Sequence, residues 1–438
     1  MATLTASPTR PHMSTFSQAM LSFYWFGTSV HWTAILITTL PKQAELIGGD
    51  AIKGTVLGIT LGLGAFVSML VAPFFGYLSD RVTTRLGRRR PWIILGSLMN
   101  VVGLYGLATF ARANDMSSLP LYIVAFAWVE FWNNVATAPY SALIPDVVPP
   151  AQRGSASGWY GLMNIFGTFV GAALPLVVTQ NGVTDLGAIY IVVAACLLLG
   201  MLGTVIFVRE PKVTKLPPFH WGEFWRGLLD PFKNHDFRWL FWTRFLMVLG
   251  VFVVQEFLQY YMGDVIKKFS LFGNTIASNP ETAASLFIVA LLVGAIPASL
   301  TAGYLSDRFG RKKAVYISSA LQAIVPFVLI FFTTFEAAFL IGIVFGIGYG
   351  AYQSVDWAMA ADVMPNANDY AKDMAVWHVA STLPQTLGTP FAGVVRDQLT
   401  VVGMQTGNPN LGYNVIFLMA SGFFALGTVL VRNIRKVK

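Results

Sequence analysis

Long apolar segments recur along the whole chain, and short polar loops separate them. A membrane-crossing helix needs about 20 mainly apolar residues to span about 30 Å of hydrocarbon. Windows of this kind lie at 16–40, 53–78, 92–111, 120–145, 155–179, 187–208, 237–262, 282–304, 314–334, 338–363, 373–395 and 412–432. The pattern predicts an all-α membrane protein with twelve transmembrane helices.

The composition excludes several classes of soluble protein. Only 11% of the residues are charged and 55% are hydrophobic, whereas an average soluble domain is about 25% charged. We therefore exclude an ordinary soluble enzyme, a disordered chain and a nucleic-acid-binding module. The net charge of +8 is assigned to membrane loops, so no nucleic-acid partner is expected. No cofactor or metal site is expected either, because the sequence has a single cysteine, Cys196, and no nucleotide-binding loop.

Lysine and arginine residues are distributed unevenly between alternate loops. With the N-terminus inside, 22 of the 29 fall in inner segments and 6 in outer loops. The positive-inside rule then places both termini in the cytoplasm. We expect a multi-pass protein of the cell membrane that works as a monomer. The predicted organisation is a tail at 1–15, a six-helix bundle at 16–208, a cytoplasmic linker at 209–236, a second bundle at 237–432 and a tail at 433–438.

Two sequence motifs occur at corresponding places in the two halves. Residues 76–81 and 303–308 both read GYLSDR, and they are followed by GRRR at 87–90 and GRKK at 310–313. The fourth span ends in ALIPDVVP and the tenth in AMAADVMP. Such a parallel repeat predicts two related bundles with a substrate site near the midplane between them.

The charged residues of these motifs form a candidate cytoplasmic gate, because the acids can pair with the neighbouring arginines. The alternative is that the arginines only set the topology of the loops. The candidate gate residues are Asp80, Arg81, Arg88, Asp146, Arg153, Asp307, Arg308, Arg311 and Asp362.

The repeated loop motif resembles that of the major facilitator superfamily. The segment RLGRRRPW at 85–92 and the pair Asn133-Asn134, followed by Pro139 and Asp146, resemble a narrower group. This group is the branch of sucrose carriers and animal proton–sugar carriers among the glycoside–pentoside–hexuronide cation symporters. The resemblance implies alternating access and cation-coupled uptake of sugars or glycosides. Ser141 stands where the sucrose carriers have an arginine implicated in sucrose binding, which argues against sucrose itself.

Glu130 is the first candidate for proton coupling. It lies three residues before Asn133, where the resemblance implies an intramembrane acid that takes the proton. It is also about 15 Å into the fourth span, and removal from water favours the protonated form of a carboxyl group. The alternative is a neutral glutamate bonded permanently to a neighbouring helix. Asp356 in the tenth span is the second coupling candidate, and a gate role competes there.

The second span supports protons as the coupling ion. Residues 53–78 contain no Asp or Glu, although a sodium site needs several oxygen ligands, including carboxylates.

Polar side chains at helical spacing mark candidate substrate-binding faces. Amides and carboxylates beside aromatic rings suit sugar hydroxyls. The alternatives are contact between helices for the asparagine pair, a fixed hydrogen bond for each histidine, a position near the outer interface for Glu256 and the cytoplasmic gate for the polar face of the tenth span. Arg244 is expected to snorkel or to pair with a carboxylate. The candidate substrate-binding residues are Tyr24, His31, Asn133, Asn134, Asn164, Gln255, Glu256, Gln259, Tyr352, Gln353, His378 and Gln385.

These features favour a secondary transporter that couples a proton gradient to symport of a small molecule, a sugar or a glycoside. Two alternatives stay open at this point. One is a proton-driven exporter of hydrophobic compounds, and the other is a membrane receptor or scaffold of the same fold that moves no solute.

Overall fold

Helices make up nearly all of the regular structure. The computed structural model describes residues 12–149, 152–210, 221–222, 225, 229–363 and 370–436. Most of the predicted N-terminal tail, much of the predicted linker and the end of the C-terminal tail therefore lie outside the described residues. The first six long helices are α1 (Thr15–Ala34), α2 (Leu40–Ser79), α3 (Arg90–Phe110), α4 (Leu119–Val147), α5 (Arg153–Val178) and α6 (Leu186–Phe207). The next six are α7 (His235–Gln255), α8 (Pro280–Phe309), α9 (Arg311–Leu329), α10 (Phe335–Val363), α11 (Tyr370–Thr406) and α12 (Leu411–Leu430).

The backbone departs from regular α-helix mainly where one helix joins the next. A π-helical turn at Ile35–Thr39 joins α1 to α2, and Gly49, with φ of +63°, breaks the start of α2. A short helix at Leu258–Tyr261 and a second π-turn at Met262–Ile266 continue α7. Two small antiparallel ribbons follow α5 and α7: β1 (Thr179–Gln180) pairs with β2 (Val183–Thr184), and β3 (Ser270–Leu271) pairs with β4 (Asn274–Thr275).

The lengths and surfaces of the helices are those of a multi-pass membrane protein. In the described residues, nine helical stretches are long and apolar enough to cross a membrane, and one of them, Thr15–Ser79, contains both α1 and α2. Large apolar side chains such as Val177 and Leu300 are 76% and 75% exposed on the outside. Such an apolar outer surface fits contact with lipid rather than with water.

Each half of the chain packs mainly on itself. In the first half α1 packs on α5 and α6, and α4 packs on α2 and α3; in the second, α10 packs on α8 and α9, and α12 packs on α7, α9 and α11. The halves meet chiefly where α2 lies along α11 and where α5 touches α8.

Glycines allow the close approach of α2 and α11. A Cβ at Gly58 would lie 2.4 Å from the carbonyl oxygen of Thr389, and a Cβ at Gly393 would lie 2.1 Å from that of Gly54. Helices in a membrane approach closely where small residues meet. A side chain at either glycine would therefore separate the two halves along this contact.

Candidate functional site

A cavity of about 260 Å³ lies between the two halves of the molecule. Most of its wall comes from α1 and α4, with single contributions from α2, α7 and α11 and one from the π-turn. The lining residues are Trp25, Thr28, Trp32, Leu36, Ser68, Glu130, Asn133, Asn134, Thr137, Phe252 and Gln385. The wall therefore combines one carboxyl group, several amides and hydroxyls, and three large aromatic rings.

Glu130 is buried at this wall, with 5% of its surface exposed. The Asn134 amide donates to Glu130 Oε2 at 3.3 Å and to the Glu130 carbonyl oxygen at 2.8 Å. Helix α2 passes close by, because a Cβ at Gly64 would lie 3.0 Å from Glu130 Cγ. Within the described residues no cation pairs with this carboxyl group, so its charge is uncompensated whenever it is ionised.

Aromatic rings and unpaired polar atoms occupy the same wall. Trp25 and Trp32 stand two turns apart on α1, and Phe252 of α7 faces the same space. Trp25 Nε1 and Asn133 Oδ1 are buried without a hydrogen-bond partner among the described residues. Buried polar atoms are normally paired, so this donor and this acceptor are available to a solute with hydroxyl groups.

Three of the predicted substrate-binding residues in the first half do not line the cavity. His31 is fully buried, and its Nε2 lies 3.1 Å from Asn100 Oδ1. The hydroxyl of Tyr24 accepts from Ser97 at 3.0 Å. Asn164 of α5 donates to Ser29 of α1 at 3.1 Å. Each of these side chains thus bonds a neighbouring helix in this conformation.

The predicted polar cluster of the seventh span divides between two places. Glu256 is 1% exposed and accepts from Gln385 Nε2 at 3.5 Å, next to the cavity. The Gln259 amide, in the orientation that satisfies its hydrogen bonds, donates to the carbonyl oxygens of Ile37 (2.8 Å) and Thr38 (3.2 Å) in the π-turn. Gln255 is half-buried and is not part of the cavity wall.

Asp356 forms an ion pair with Arg244 inside the second half. Tyr352 donates to the same carboxylate at 3.3 Å, and Arg244 Nε donates to Ser381 at 2.9 Å. The guanidinium of Arg244 also lies 3.7 Å from the ring centroid of Trp377. Arg244 thus compensates the charge of Asp356, whereas no described cation compensates the charge of Glu130. Gln353 is half-buried beside this pair on α10, and the side chain of His378 lies outside the described residues.

Arg89 organises the loop that follows α2. It is 2% exposed, bonds Ser79 and Asp80, and donates through Nε to Asp146 Oδ2 at 3.0 Å. Arg88 lies 2.6 Å from the other oxygen of Asp146 and 3.7 Å from Asp80. The predicted gate acids of the first half are therefore brought together, with Arg89, which the sequence analysis did not single out, at the centre.

Glu210 closes the start of α3. Its carboxylate accepts from the backbone N–H groups of Arg88 (2.8 Å), Arg89 (3.0 Å) and Arg90 (2.8 Å). Gly87 has φ of +109°, and a Cβ there would lie 2.7 Å from the Glu210 carboxyl carbon. An anion at a helix N-terminus satisfies its free donors, so Glu210 fastens the chain after α6 to this loop.

Among the other predicted cytoplasmic gate residues, the described side chains form an ion pair between two helices and contacts with residues about one helical turn earlier in the chain. Arg311 Nε lies 2.8 Å from Asp362 Oδ2. Arg81 donates to the Tyr77 carbonyl at 2.9 Å, and the guanidinium of Arg308 lies 4.7 Å from the Tyr304 ring centroid. The side chains of Arg153 and Asp307 lie outside the described residues.

A second charge cluster joins the two halves at the opposite end of α2. We call it the gate cluster, and it is separate from the candidate cytoplasmic gate described above. It consists of Lys53, Asp264, Arg396, Asp397 and Tyr413. Asp264 pairs with Lys53 of the first half at 2.9 Å and with Arg396 of the second half. Asp397 accepts from the N–H groups of Gly54 (3.2 Å) and Thr55 (2.6 Å).

The gate cluster is largely buried and electrostatically matched. Lys53 and Arg396 are each 2% exposed, whereas Asp264 is 32% exposed. Burial raises the pKa of Asp264, but the Lys53 ammonium, the Tyr413 hydrogen bond and the Arg396 guanidinium together hold that pKa below its usual value. Asp264 is therefore ionised at neutral pH. Lys53 and Arg396 are two of the six cations that the sequence places in outer loops.

Comparison with known proteins gives the class of protein that this fold and cavity define. A bacterial homologue of the human lysosomal transporter Spinster, solved in an inward-facing conformation, superposes with a TM-score of 0.73 at 15% identity, over 96% of this chain and 97% of that one. A D-xylose–proton symporter superposes with a TM-score of 0.70 at 17% identity, over 93% and 96% of the two chains. These two structures and this chain therefore share one fold.

The family profile described as MFS/sugar transport protein matches residues 51–432, and the chain belongs to that family. The sucrose transport protein SUC3 of Arabidopsis thaliana is 25% identical over 185 residues, which cover 35% of this chain and 31% of that protein. The general alpha-glucoside permease of Schizosaccharomyces pombe is 29% identical over 165 residues, which cover 34% and 30%. The matches thus span about a third of each relative. They agree with the exclusion of an enzyme.

Proposed function

We propose that the protein is a proton-coupled symporter of a sugar or glycoside that works by alternating access. The buried carboxyl group of Glu130 carries this proposal, because it lies in the wall of a cavity between two halves and no cation among the described residues compensates it. An ionised group in such a place is costly, and it is retained where it moves ions or protons. The named activities of the relatives, sucrose and α-glucoside transport, support the sugar as solute.

The cavity wall supports an uncharged solute with hydroxyl groups and an apolar face. Trp25 and Trp32 offer flat apolar surfaces, and Asn133 Oδ1 and Trp25 Nε1 offer an acceptor and a donor. Ligand sites commonly combine an apolar lining with a few placed polar groups. A pyranose ring, with axial hydrogens on its faces and hydroxyls on its rim, has this chemistry.

The proposed architecture has twelve transmembrane helices in two bundles, at 16–208 and 237–432. Helices α4 and α11, which fall outside the nine apolar stretches, are proposed to cross the membrane as well. Their polar residues, such as Glu130 and Gln385, face the cavity and not lipid. The distribution of lysine and arginine supports cytoplasmic termini. The proposed location is the cell membrane and the proposed state is a monomer.

In this orientation the gate cluster closes the outer end of the cavity. Asp264 and Asp397 hold the two halves together there. The ion pairs described at the cytoplasmic end, Arg89–Asp146 and Arg311–Asp362, each lie within one half. Alternating access then consists of breaking the gate cluster and bringing the cytoplasmic ends of the halves together.

The experiment that tests this function is uptake into proteoliposomes from a panel of mono- and disaccharides with an imposed pH gradient. Uphill uptake of a sugar that collapses with the gradient is the expected result. In the Glu130→Gln variant the protonatable group in the cavity wall is lost, so pH-driven accumulation should fall well below the wild-type level while exchange of labelled for unlabelled sugar continues. Wild-type rates of pH-driven accumulation in that variant would remove Glu130 from the mechanism, and no sugar flux at all would remove the proposed function.

A further inference from the structure

A second buried carboxyl group lies beside the cavity and has no part in the coupling step proposed above. Glu256 follows the end of α7 and is 1% exposed. Its Oε1 accepts from Gln385 at 3.5 Å, and its Oε2 has no hydrogen-bond partner in the described part of the chain. This carboxyl group is as isolated as that of Glu130, and it belongs to the other half of the molecule.

The described cations on the surrounding helices are paired elsewhere. Arg244, twelve residues earlier on α7, is bonded to Asp356 of α10. Arg396 of α11 is bonded to Asp264 in the gate cluster. Helix α12 carries no charged residue between Leu411 and Leu430.

Two tyrosines and a lysine of the described part of the chain are also engaged. The hydroxyl of Tyr260 donates to Pro41, and that of Tyr413 donates to Asp264. Lys53 lies over the Tyr260 ring, within the gate cluster. Among the described side chains, Glu256 therefore has an amide as its polar neighbour and no compensating cation.

An ionised carboxylate in these surroundings would be buried without a counter-charge among the described residues, which is strongly unfavourable. A protonated carboxyl group is neutral, so its burial is unfavourable only because its oxygens make few hydrogen bonds. We propose that Glu256 is a second proton-carrying residue, so that each transport cycle moves two protons, one on each half. When water reaches the group, the O–H bond breaks, the proton passes to water and a carboxylate remains.

Gln385 connects Glu256 to the cavity. It lines the cavity itself, and so does Phe252, one helical turn before Glu256. Gln385 belongs to α11, which packs along α2 of the other half. A movement of α11 relative to α7 therefore breaks the contact between Gln385 and Glu256 and opens the carboxyl group to cavity water.

Infrared spectroscopy of the purified protein in lipid tests the protonation directly, without any substrate. At neutral pH the wild type should show deuterium-sensitive C=O bands of protonated carboxyl groups, and Glu256→Gln should remove one of them. Glu336→Gln, the same substitution on α10 away from the cavity, is the matched control and should leave the spectrum unchanged. An unchanged spectrum in Glu256→Gln overturns the inference, whatever the protein transports.

The number of protons per cycle is tested by accumulation of maltose, an α-glucoside, in proteoliposomes; this arm rests on the proposed function. With a gradient of one pH unit and no membrane potential, each coupled proton supplies a factor of about ten. Wild type should accumulate maltose about 100-fold, and Glu256→Gln about 10-fold. Equal accumulation by both overturns the second proton. No maltose accumulation by the wild type counts against the proposed function, and the infrared result still decides the state of Glu256.

Discussion

Removal of the charge of Asp264 should open the outer end of the cavity. This carboxylate is the member of the gate cluster that touches a cation of each half, Lys53 at 2.9 Å and Arg396. Loss of one partner from a buried ion pair costs about 3–5 kcal/mol. The cost is smaller here, because Asp264 is 32% exposed and both cations keep another acid within 3.1 Å, Asp50 and Asp397. We expect Asp264→Asn to destabilise the closed outer end by about 2 kcal/mol, which shifts the conformational equilibrium about 30-fold.

A cysteine in the cavity measures that shift. Ser68 lines the cavity and is 9% exposed, so Ser68→Cys in a Cys196→Ala background reports access from outside with a membrane-impermeant thiol reagent. Where the outward-open state is a small fraction, the labelling rate is proportional to that fraction. Asp264→Asn should raise the rate by up to about 30-fold.

Asp50→Asn is the matched control. Asp50 lies 3.1 Å from the same Lys53, but its side chain is 90% exposed. Exposed pairs contribute about 0–1 kcal/mol, so this variant should change labelling less than about fivefold. Equal rates in Asp264→Asn and the parent, or equal effects of both substitutions, would refute a gate that depends on burial.

Three further outcomes are expected. Glu210→Gln should lower the melting temperature, since the three N–H groups at the start of α3 lose a charged acceptor worth about 1 kcal/mol; the same temperature as Glu336→Gln would contradict this. Gly58→Ala should speed labelling in the Ser68→Cys assay, because its Cβ would lie 2.4 Å from the Thr389 carbonyl oxygen and would separate the two halves. Slower labelling would contradict this role of the α2–α11 contact. The pKa of Asp264 is depressed, so its contribution is present above the ordinary value of 3.8 and is lost only as the pH falls further. The ratio of the labelling rates of Asp264→Asn and the parent, which cancels the pH dependence of the thiol, should therefore be independent of outer pH between about 5 and 8, and a change of that ratio within the window would count against the assignment.

Local sequence predicted the helices well, because a membrane-crossing helix needs only its own length and apolarity. The window at 92–111 corresponds to α3 at Arg90–Phe110, and that at 282–304 lies within α8 at Pro280–Phe309. The π-turn at Ile35–Thr39 and the break at Gly49 were not predicted, because no short sequence motif encodes them.

The candidate site was predicted less completely. Glu130, Asn133, Asn134 and Gln385 do meet at one cavity, as expected for polar residues that avoid lipid. His31 has the same residue chemistry, but it bonds Asn100 on a neighbouring helix. Residue type and helical spacing cannot distinguish these cases, because they report which side of a helix is polar and not what that side touches.

The sequence by itself determined the class of protein: its hydropathy, its uneven lysine and arginine distribution and its repeated loop motif are all local properties of the chain. Only the tertiary structure decided which charges act together. Lys53 and Asp264 are separated by 211 residues and pair because α2 and the end of α7 converge at one end of the cavity. An isolated buried acid such as Glu256 differs from a compensated one such as Asp356 only in its distance to a cation, and that distance exists only after the helices have packed.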